Sequence, residues 1–256
     1  MPQGSFGEIK VFEDFLHFED NIAATGVATG IVFGTGYVSV GELGLVSVNE
    51  GSLAWTIDEP GGILAITTDT GDDDNAALLA GPFARSDGGM QMECRFKIDN
   101  VTTESAIFAG FTETLAFDTP VMPAEFATAT MTYNGTGAMA GIQFDIDGTT
   151  DDFRAVVADA AATVAGVAAA GVRANATLTV DAWYIVRVEI YPDGRAQVLF
   201  GDANDNKTGL AVVATSTGAL PNERMYAVLM VENRTGAANV LEVDYFYARG
   251  WRDWRV

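Results

Sequence analysis

The chain has 256 residues, of which 14 are Lys or Arg and 35 are Asp or Glu, giving a formal charge of −21 with its single histidine neutral. Such a length holds a sizeable core, as one large all-β domain or two small ones, and the even composition favours one. Acidity on this scale opposes any general affinity for nucleic acid or anionic membrane, so neither is expected as a partner; a solvated acidic surface is the simplest origin of the charge.

In MPQGSFGEIK no apolar run follows the charges, and no stretch of the chain has the uninterrupted apolar length of a membrane span, so folding in a cytosol is expected. Residues 1–8 read as a lead. Ile9 to Phe18 (IKVFEDFLHF) reads as the first strand, anchored by Phe12, Phe15, Leu16 and Phe18 on either side of Glu13-Asp14. His17, the single histidine, removes the usual Ser-His or Cys-His couple unless it acts alone, and a structural or surface role is expected for it.

From Ala23 to Asp58 short alternating runs are separated by glycines at turn spacing: Ile31-Val32-Phe33, Tyr37 to Val40, Leu45 to Val48 and Leu53 to Ile57. Each is predicted as a short strand. Pro60-Gly61-Gly62 turns the chain into Ile63 to Thr68, and Asp72-Asp73-Asp74-Asn75 makes a charged loop before Ala76 to Leu79. In Met90 to Asp99, Met92, Cys94, Phe96 and Ile98 share one strand face while Glu93, Arg95, Lys97 and Asp99 share the other. Cys94, the lone cysteine, therefore forms no internal disulfide and is predicted as a core thiol.

Ser105 to Thr112 is the next strand. The stretch Glu113 to Glu125, with Pro120 and Pro123, is the longest irregular one, and loops of that length in compact domains are usually functional or at an interface. Thr128 to Tyr133, Ala140 to Ile146 and Phe153 to Ala158 continue the strand pattern. Ala158 to Ala176 is ambiguous: its alanines argue helix, whereas Gly166, Gly171 and the β-branched Thr163, Val164, Val167 and Val172 argue strand and loop, which is the reading adopted. Thr177 to Val180 is read as a strand.

The clearest unit is Trp183 to Phe200, WYIVRVEIYPDGRAQVLF. Tyr184, Val186, Val188 and Ile190 alternate with Arg187 and Glu189, Pro192-Asp193-Gly194 turns the chain, and Ala196, Val198 and Phe200 restore the apolar face, which predicts an antiparallel hairpin on a core. Leu210 to Thr215, Met225 to Val231 and Val240 to Ala248 complete the pattern. In the last of these, Leu241, Val243, Tyr245 and Tyr247 are expected on one face, opposite Glu242 and Asp244. Many short strands at this spacing, with no sustained helical period, repeat or linker, predict an all-β sandwich or jelly roll of antiparallel strands, one domain spanning 9–249.

Chemistry-bearing patterns are few. Asp145-x-Asp147-Gly148 with Asp151 and Asp152, and Asp202-x-Asn204-x-Asn206, alternate oxygens as a hard cation wants, but Lys207 stands where an EF-hand-type loop needs glycine. Solvated turns are the simpler account, so no cofactor is expected, with calcium at Asp145 and Asp147 or at Asp202 and Asn204 as the alternative. A sandwich glucanase would carry a third acid two residues beyond Asp244, where Phe246 stands, and no nucleophile elbow, zinc motif or phosphate loop occurs, so the chain is not expected to be an enzyme. Trp55, Trp183 and Tyr191 would suit a sugar-stacking platform or, more simply, a core. Residues 250–256 form an aromatic and basic tail in which Trp251, Arg252, Trp254 and Arg255 are the residue types of interface hot spots; closing the sandwich is the other account of its tryptophans.

The Trp183-Tyr184 to Ile190-x-Pro192-Asp193-Gly194 hairpin, the Met225 to Val231 strand and the closing Leu241 to Phe246 strand resemble the concanavalin A-like (laminin G-like) jelly roll. Within that group, Phe12 to Leu16, the pair Met92 to Ile98 and Ile107 to Thr112, and the ending Val243-Asp244-Tyr245-Phe246 are similar to structural proteins of tailed bacteriophages, over roughly Phe12 to Arg249. The resemblance implies a virion protein of the capsid decoration, or cement, type. Made in the host bacterial cytoplasm, it would sit on the outer capsid surface against the major capsid protein and its own copies as a trimer or dimer. Its interface is then expected at Trp251, Arg252, Trp254 and Arg255 of the tail and at Phe117, Pro120 and Pro123 of the long loop. The same jelly roll carries sugar-binding modules, so the alternative is a carbohydrate-binding module or a receptor-binding virion component.

Overall fold

The structure is a computed structural model and describes residues 8–13, 31–33, 36–40, 43–47, 51–55, 62–85, 88–98, 104–113, 115, 120–134, 137–160, 162–202 and 209–251. The described residues form strands and turns, with no helix among them. In chain order the strands are β1 (Glu8–Glu13), β2 (Ile31–Phe33), β3 (Gly36–Val40), β4 (Leu43–Ser47), β5 (Gly51–Trp55), β6 (Leu64–Thr67) and β7 (Asn75–Phe83). They continue with β8 (Met90–Ile98), β9 (Ser105–Thr112), β10 (Ala124–Ala127), β11 (Thr130–Tyr133), β12 (Met139–Asp145), β13 (Asp152–Asp159) and β14 (Ala162–Thr163). The last are β15 (Val172–Thr177), β16 (Tyr184–Ile190), β17 (Ala196–Asp202), β18 (Ala211–Thr215), β19 (Met225–Asn233) and β20 (Val240–Trp251).

Two antiparallel sheets stack face to face. Sheet A runs β18-β17-β16-β8-β20-β6-β5-β2, with β1 added on β20; sheet B runs β14-β13-β12-β9-β19-β7-β4-β3, with β15 added on β13. The core between them follows from period-2 alternation: Met92, Cys94, Phe96 and Ile98 of β8 and Tyr184, Val186, Val188 and Ile190 of β16 point at Ile107, Ala109 and Phe111 of β9 and Leu229 and Val231 of β19. Cys94 is wholly buried, and burial, with the neighbouring Glu93 second, pushes its thiol well above the usual range, as a core position requires. The β16–β17 hairpin closes through Pro192-Asp193-Gly194, where Gly194 takes the left-handed conformation at φ +86°.

The central strands of sheet B, β12, β9 and β19, are buried on both faces. A separate hairpin, β10–β11, lies over its outer side, and Phe108, Met122, Phe126, Met131, Met139, Val156 and Met230 form a second apolar layer beneath it. This is why β9 shows no alternation, every one of its residues being buried. Gly110 and Gly141 face each other across β9 and β12, and a Cβ on Gly110 would stand 2.2 Å from the Ala140 carbonyl oxygen, so the second layer rests on bare backbone there.

Several sequence expectations are revised. Of the strand expected at Thr177 to Val180 only Thr177 is in a strand, as the last residue of β15; the chain then wraps the Tyr184 phenol, which donates to Thr177 O at 3.0 Å and accepts from Thr179 N at 2.8 Å, and Asp181 takes φ +61°. Ala158 to Ala176 is strand and turn, as read. In β20 a bulge between Val243 and Tyr245 resets the alternation, so Leu241, Val243, Phe246 and Ala248 face the core while Tyr245 and Tyr247 turn outward, against the expected grouping. β20 continues through Trp251, into the segment read as a tail. His17 lies outside the described residues.

Candidate functional site

The second layer over sheet B is pinned at its ends by polar contacts. Phe126 N–H donates to Asp145 Oδ2 at 2.8 Å, Thr128 N–H to Asp147 O at 3.0 Å, and Thr149 N–H back to Thr128 O at 2.7 Å. Asn75 Nδ2 donates to Pro120 O at 2.7 Å, and the Arg154 guanidinium lies 4.9 Å from the centre of the Phe126 ring. At the other end Tyr133 of β11 donates its hydroxyl to Ala169 O at 2.9 Å, tying the hairpin to the turns between β14 and β15. Burial raises the Tyr133 phenol to about 12, so it stays a donor across the physiological range.

Between that hairpin and those turns opens a groove of about 470 Å³, lined by Met131, Thr132, Tyr133, Ala162, Thr163 and Ala169. The residues that line it are a tyrosine, a methionine, two threonines and two alanines, and none of the six side chains is charged. Pockets of this size that mix apolar surface with a few hydroxyl groups suit a small polar organic ligand. Sequence reading placed Thr128 to Tyr133 in a strand but did not single out its side chains. The signal lay in pairing, because Tyr133 and Ala169 meet only through the fold.

At the opposite end of the same face lies a buried charged centre. The register Asn75↔Glu232↔Ala106↔Asp145 puts Asn75, Glu232 and Asp145 in one row across β7, β19, β9 and β12. Arg234, at the end of β19, donates to Asp145 Oδ2 at 2.7 Å and Oδ1 at 3.2 Å, and pairs with Glu232 at 2.7 Å, with Asp73 at 3.5 Å and with Asp147 at 4.0 Å. Burial pushes the Glu232 carboxyl up to about 8, against the opposing pull of Arg234. The neighbouring carboxylates hold the guanidinium above its ordinary value although burial acts the other way.

The residues singled out from sequence are scattered. Asp145 is buried and bound to Arg234, whereas Asp147 is exposed; Asp202 ends β17, and Asn204 lies outside the described residues. Among the described residues no three of His, Cys, Asp and Glu are grouped to hold a metal ion. Pro120 and Pro123 are buried, with Val121 between them 49% exposed, and Phe117 lies outside the described residues. Trp251 is a half-buried strand residue: its backbone exchanges hydrogen bonds with Ala84 at 2.8 and 2.9 Å, and its indole lies against Gly88. Arg252, Trp254 and Arg255 lie outside the described residues.

Trp183 and Tyr191 flank opposite ends of β16, with Arg95 standing 4.3 Å over the Trp183 ring, and the side chain of Trp55 lies outside the described residues. Glu242 and Asp244 are separated by the β20 bulge and each is paired, with Lys97 at 2.7 Å and with Arg95 at 2.6 Å.

No protein-family model matches the chain, and no curated protein matches it in sequence. Solved structures do resemble it. A protein of unknown function from Shewanella oneidensis MR-1 superposes with a TM-score of 0.62 at 14% identity, covering 96% of this chain and 88% of that one. Peanut lectin gives 0.55 at 12% identity, with 94% and 97% covered. The exoplasmic/lumenal domain of VIP36 in its Ca2+/Man-bound form gives 0.50 at 12% identity, with 82% and 83% covered. At these identities the likeness defines the fold, and the chain is a concanavalin A-like jelly-roll sandwich.

Proposed function

We propose that this chain is a carbohydrate-binding module whose ligand seats in the groove between β11 and the turns after β14. The observation that carries this reading is the groove itself: about 470 Å³, lined by Met131, Thr132, Tyr133, Ala162, Thr163 and Ala169, with no charged side chain among them. An aromatic ring suits the apolar face of a pyranose, and hydroxyls suit its edge. The uncharged lining and the net charge of −21 both favour a neutral saccharide of one or two units over a sulfated or sialylated one. The fold shared with peanut lectin and with a mannose-bound VIP36 domain supports the same class.

The test is a glycan-array screen followed by calorimetry with the best neutral sugar. Thr132 is exposed, so Thr132→Trp fills the groove without disturbing the core, and it is expected to weaken binding at least tenfold with an unchanged melting temperature. Unaltered affinity in that variant, or an array with no neutral-sugar signal, would sink the reading.

A second reading, a decoration protein on the outside of a bacteriophage capsid, is favoured by one surface feature. Phe12 of β1 is 57% exposed and stands beside the outward Tyr245 of β20, ring centres 6.4 Å apart, which leaves apolar aromatic surface free for a protein neighbour. Co-sedimentation with capsids of a phage encoding the chain would decide: Phe12→Ser should abolish it if that edge meets the major capsid protein, and an empty pellet with the unaltered chain argues against the role.

A further inference from the structure

We propose that the Arg234 guanidinium does within this fold the work of a divalent cation, so that the acid-rich end of sheet B is closed without metal and loss of this one arginine turns it into a calcium site. Four carboxylates converge on the group: Asp145 and Glu232 at 2.7 Å, Asp73 at 3.5 Å and Asp147 at 4.0 Å. The side chains of Asp145, Glu232 and Arg234 are 0%, 3% and 7% exposed, so solvent neutralises little of the charge at the centre, whereas Asp73 and Asp147, 76% and 58% exposed, lie at its wet rim. Without a positive partner the Asp145 and Glu232 pair would be costly to bury.

The donor set has the chemistry of a hard-cation site, being made of carboxylate oxygens with an amide oxygen at hand. Asn75 is 1% exposed; its Nδ2 donates to Glu232 Oε2 at 3.2 Å and to Pro120 O at 2.7 Å, which fixes the amide orientation and leaves Oδ1 buried with no hydrogen-bond partner. The amide that carries this orphaned acceptor is bonded, through its nitrogen, to the same carboxyl group that Arg234 pairs with.

A metal ion does not fit while Arg234 is present. A carboxylate offers about four acceptor positions. Those of Asp145 are taken by Arg234 Nε at 3.2 Å, Arg234 Nη2 at 2.7 Å, Phe126 N at 2.8 Å and Asp147 N at 3.1 Å. Although the similarly folded VIP36 domain is a calcium-bound form, here the central carboxylate has no oxygen to spare. The planar fork of arginine is what allows one side chain to hydrogen-bond Asp145 twice while its charge stands 2.7 Å from Glu232, and a lysine in its place would keep the charge but lose that geometry.

The experiment, run at pH 8.5, above the value to which burial raises Glu232, compares melting temperature and calcium calorimetry for the unaltered chain, Arg234→Lys and Arg234→Ala, each with chelator and with millimolar calcium. The unaltered chain should melt at the same temperature in both and show no calcium binding. Arg234→Ala in chelator should lose about 10 °C, the scale for a buried charge stripped of its partner in a domain of this size, and calcium should restore most of the loss with one site by calorimetry. Arg234→Lys should melt between the two and gain no calcium site. If Arg234→Ala does not fold in chelator, refolding it in calcium replaces the melt: recovery supports the assignment and continued misfolding overturns it. Chelator sensitivity in the unaltered chain, a folded Arg234→Ala indifferent to calcium, or calcium binding by Arg234→Lys would each overturn it as well.

Discussion

Phe153→Ala is expected to cost about 3–5 kcal/mol of stability, the range for deleting a large aromatic from a packed core. Phe153 of β13 is wholly buried, and its ring centre lies 4.7 Å from that of Phe200, 4.9 Å from Tyr184, 5.3 Å from Phe144 and 6.5 Å from Phe96. Phe144 lies with it in sheet B, whereas Phe96, Tyr184 and Phe200 belong to sheet A, so this one side chain joins the two layers. Its removal forfeits burial and several tilted ring contacts, each worth about 0.5–1.5 kcal/mol beyond area. The surrounding strands, held by their ladders, relax only partly into the void. Urea unfolding of the variant should show a lower midpoint at an unchanged slope; a loss below about 1 kcal/mol would mean that the cluster repacks and that the layers are held elsewhere.

The same cluster shows what the sequence made legible. Strands with one dry and one wet face announced themselves by alternation, and β8, β16 and β17 lie where Met92 to Ile98 and Tyr184 to Phe200 placed them. Alternation fails where both faces are dry. Ser105 to Thr112 was recognisable as a strand, but nothing in it told that Phe108 faces a second apolar layer rather than water, because that layer comes from Met122, Phe126 and Met131 on a hairpin folded over from elsewhere. A bulge is equally silent: one extra residue at Asp244 reverses the facing of Tyr245 and Tyr247 with no change in composition.

The candidate sites were less legible for a related reason. Asp145 drew notice as part of an acidic string, a local pattern, but its partner is 89 positions away, and Arg234 sits in an unremarkable Glu232-Asn233-Arg234 step at the end of an apolar strand. The available signal was scarcity: in a chain with 14 basic residues against 35 acidic ones, an arginine directly after a buried strand has a strong claim to an internal role. The groove gave still less, since threonine, alanine and tyrosine carry no distinctive spacing and Thr132 and Thr163 approach only because β11 and β14 belong to different sheets stacked on one face.

Glu232 should make the stability of the whole sandwich depend on pH in the direction opposite to that of an ordinary salt-bridged acid. Burial is the largest influence on it and, with Glu125 and Asp73 nearby, lifts its carboxyl from 4.5 to about 8, while Arg234 and the Asn75 amide pull the other way. The native state then keeps a proton that the unfolded chain releases. This group therefore favours folding in full below about pH 4.5, and its contribution is lost as pH rises through about 8. At about 1.4 kcal/mol per unit of separation, the loss across that window is several kcal/mol. Glu232→Gln removes the ionisable group while keeping an oxygen for Arg234 to donate to. Urea unfolding of both proteins at steps from pH 4.5 to 8.5 should show the unaltered chain losing ground to the variant as pH climbs. A constant difference between the two across the window would mean that Glu232 is ionised throughout, with Arg234 and Asn75 outweighing its burial, and the buried centre would then be held by charge pairing at every pH in the window.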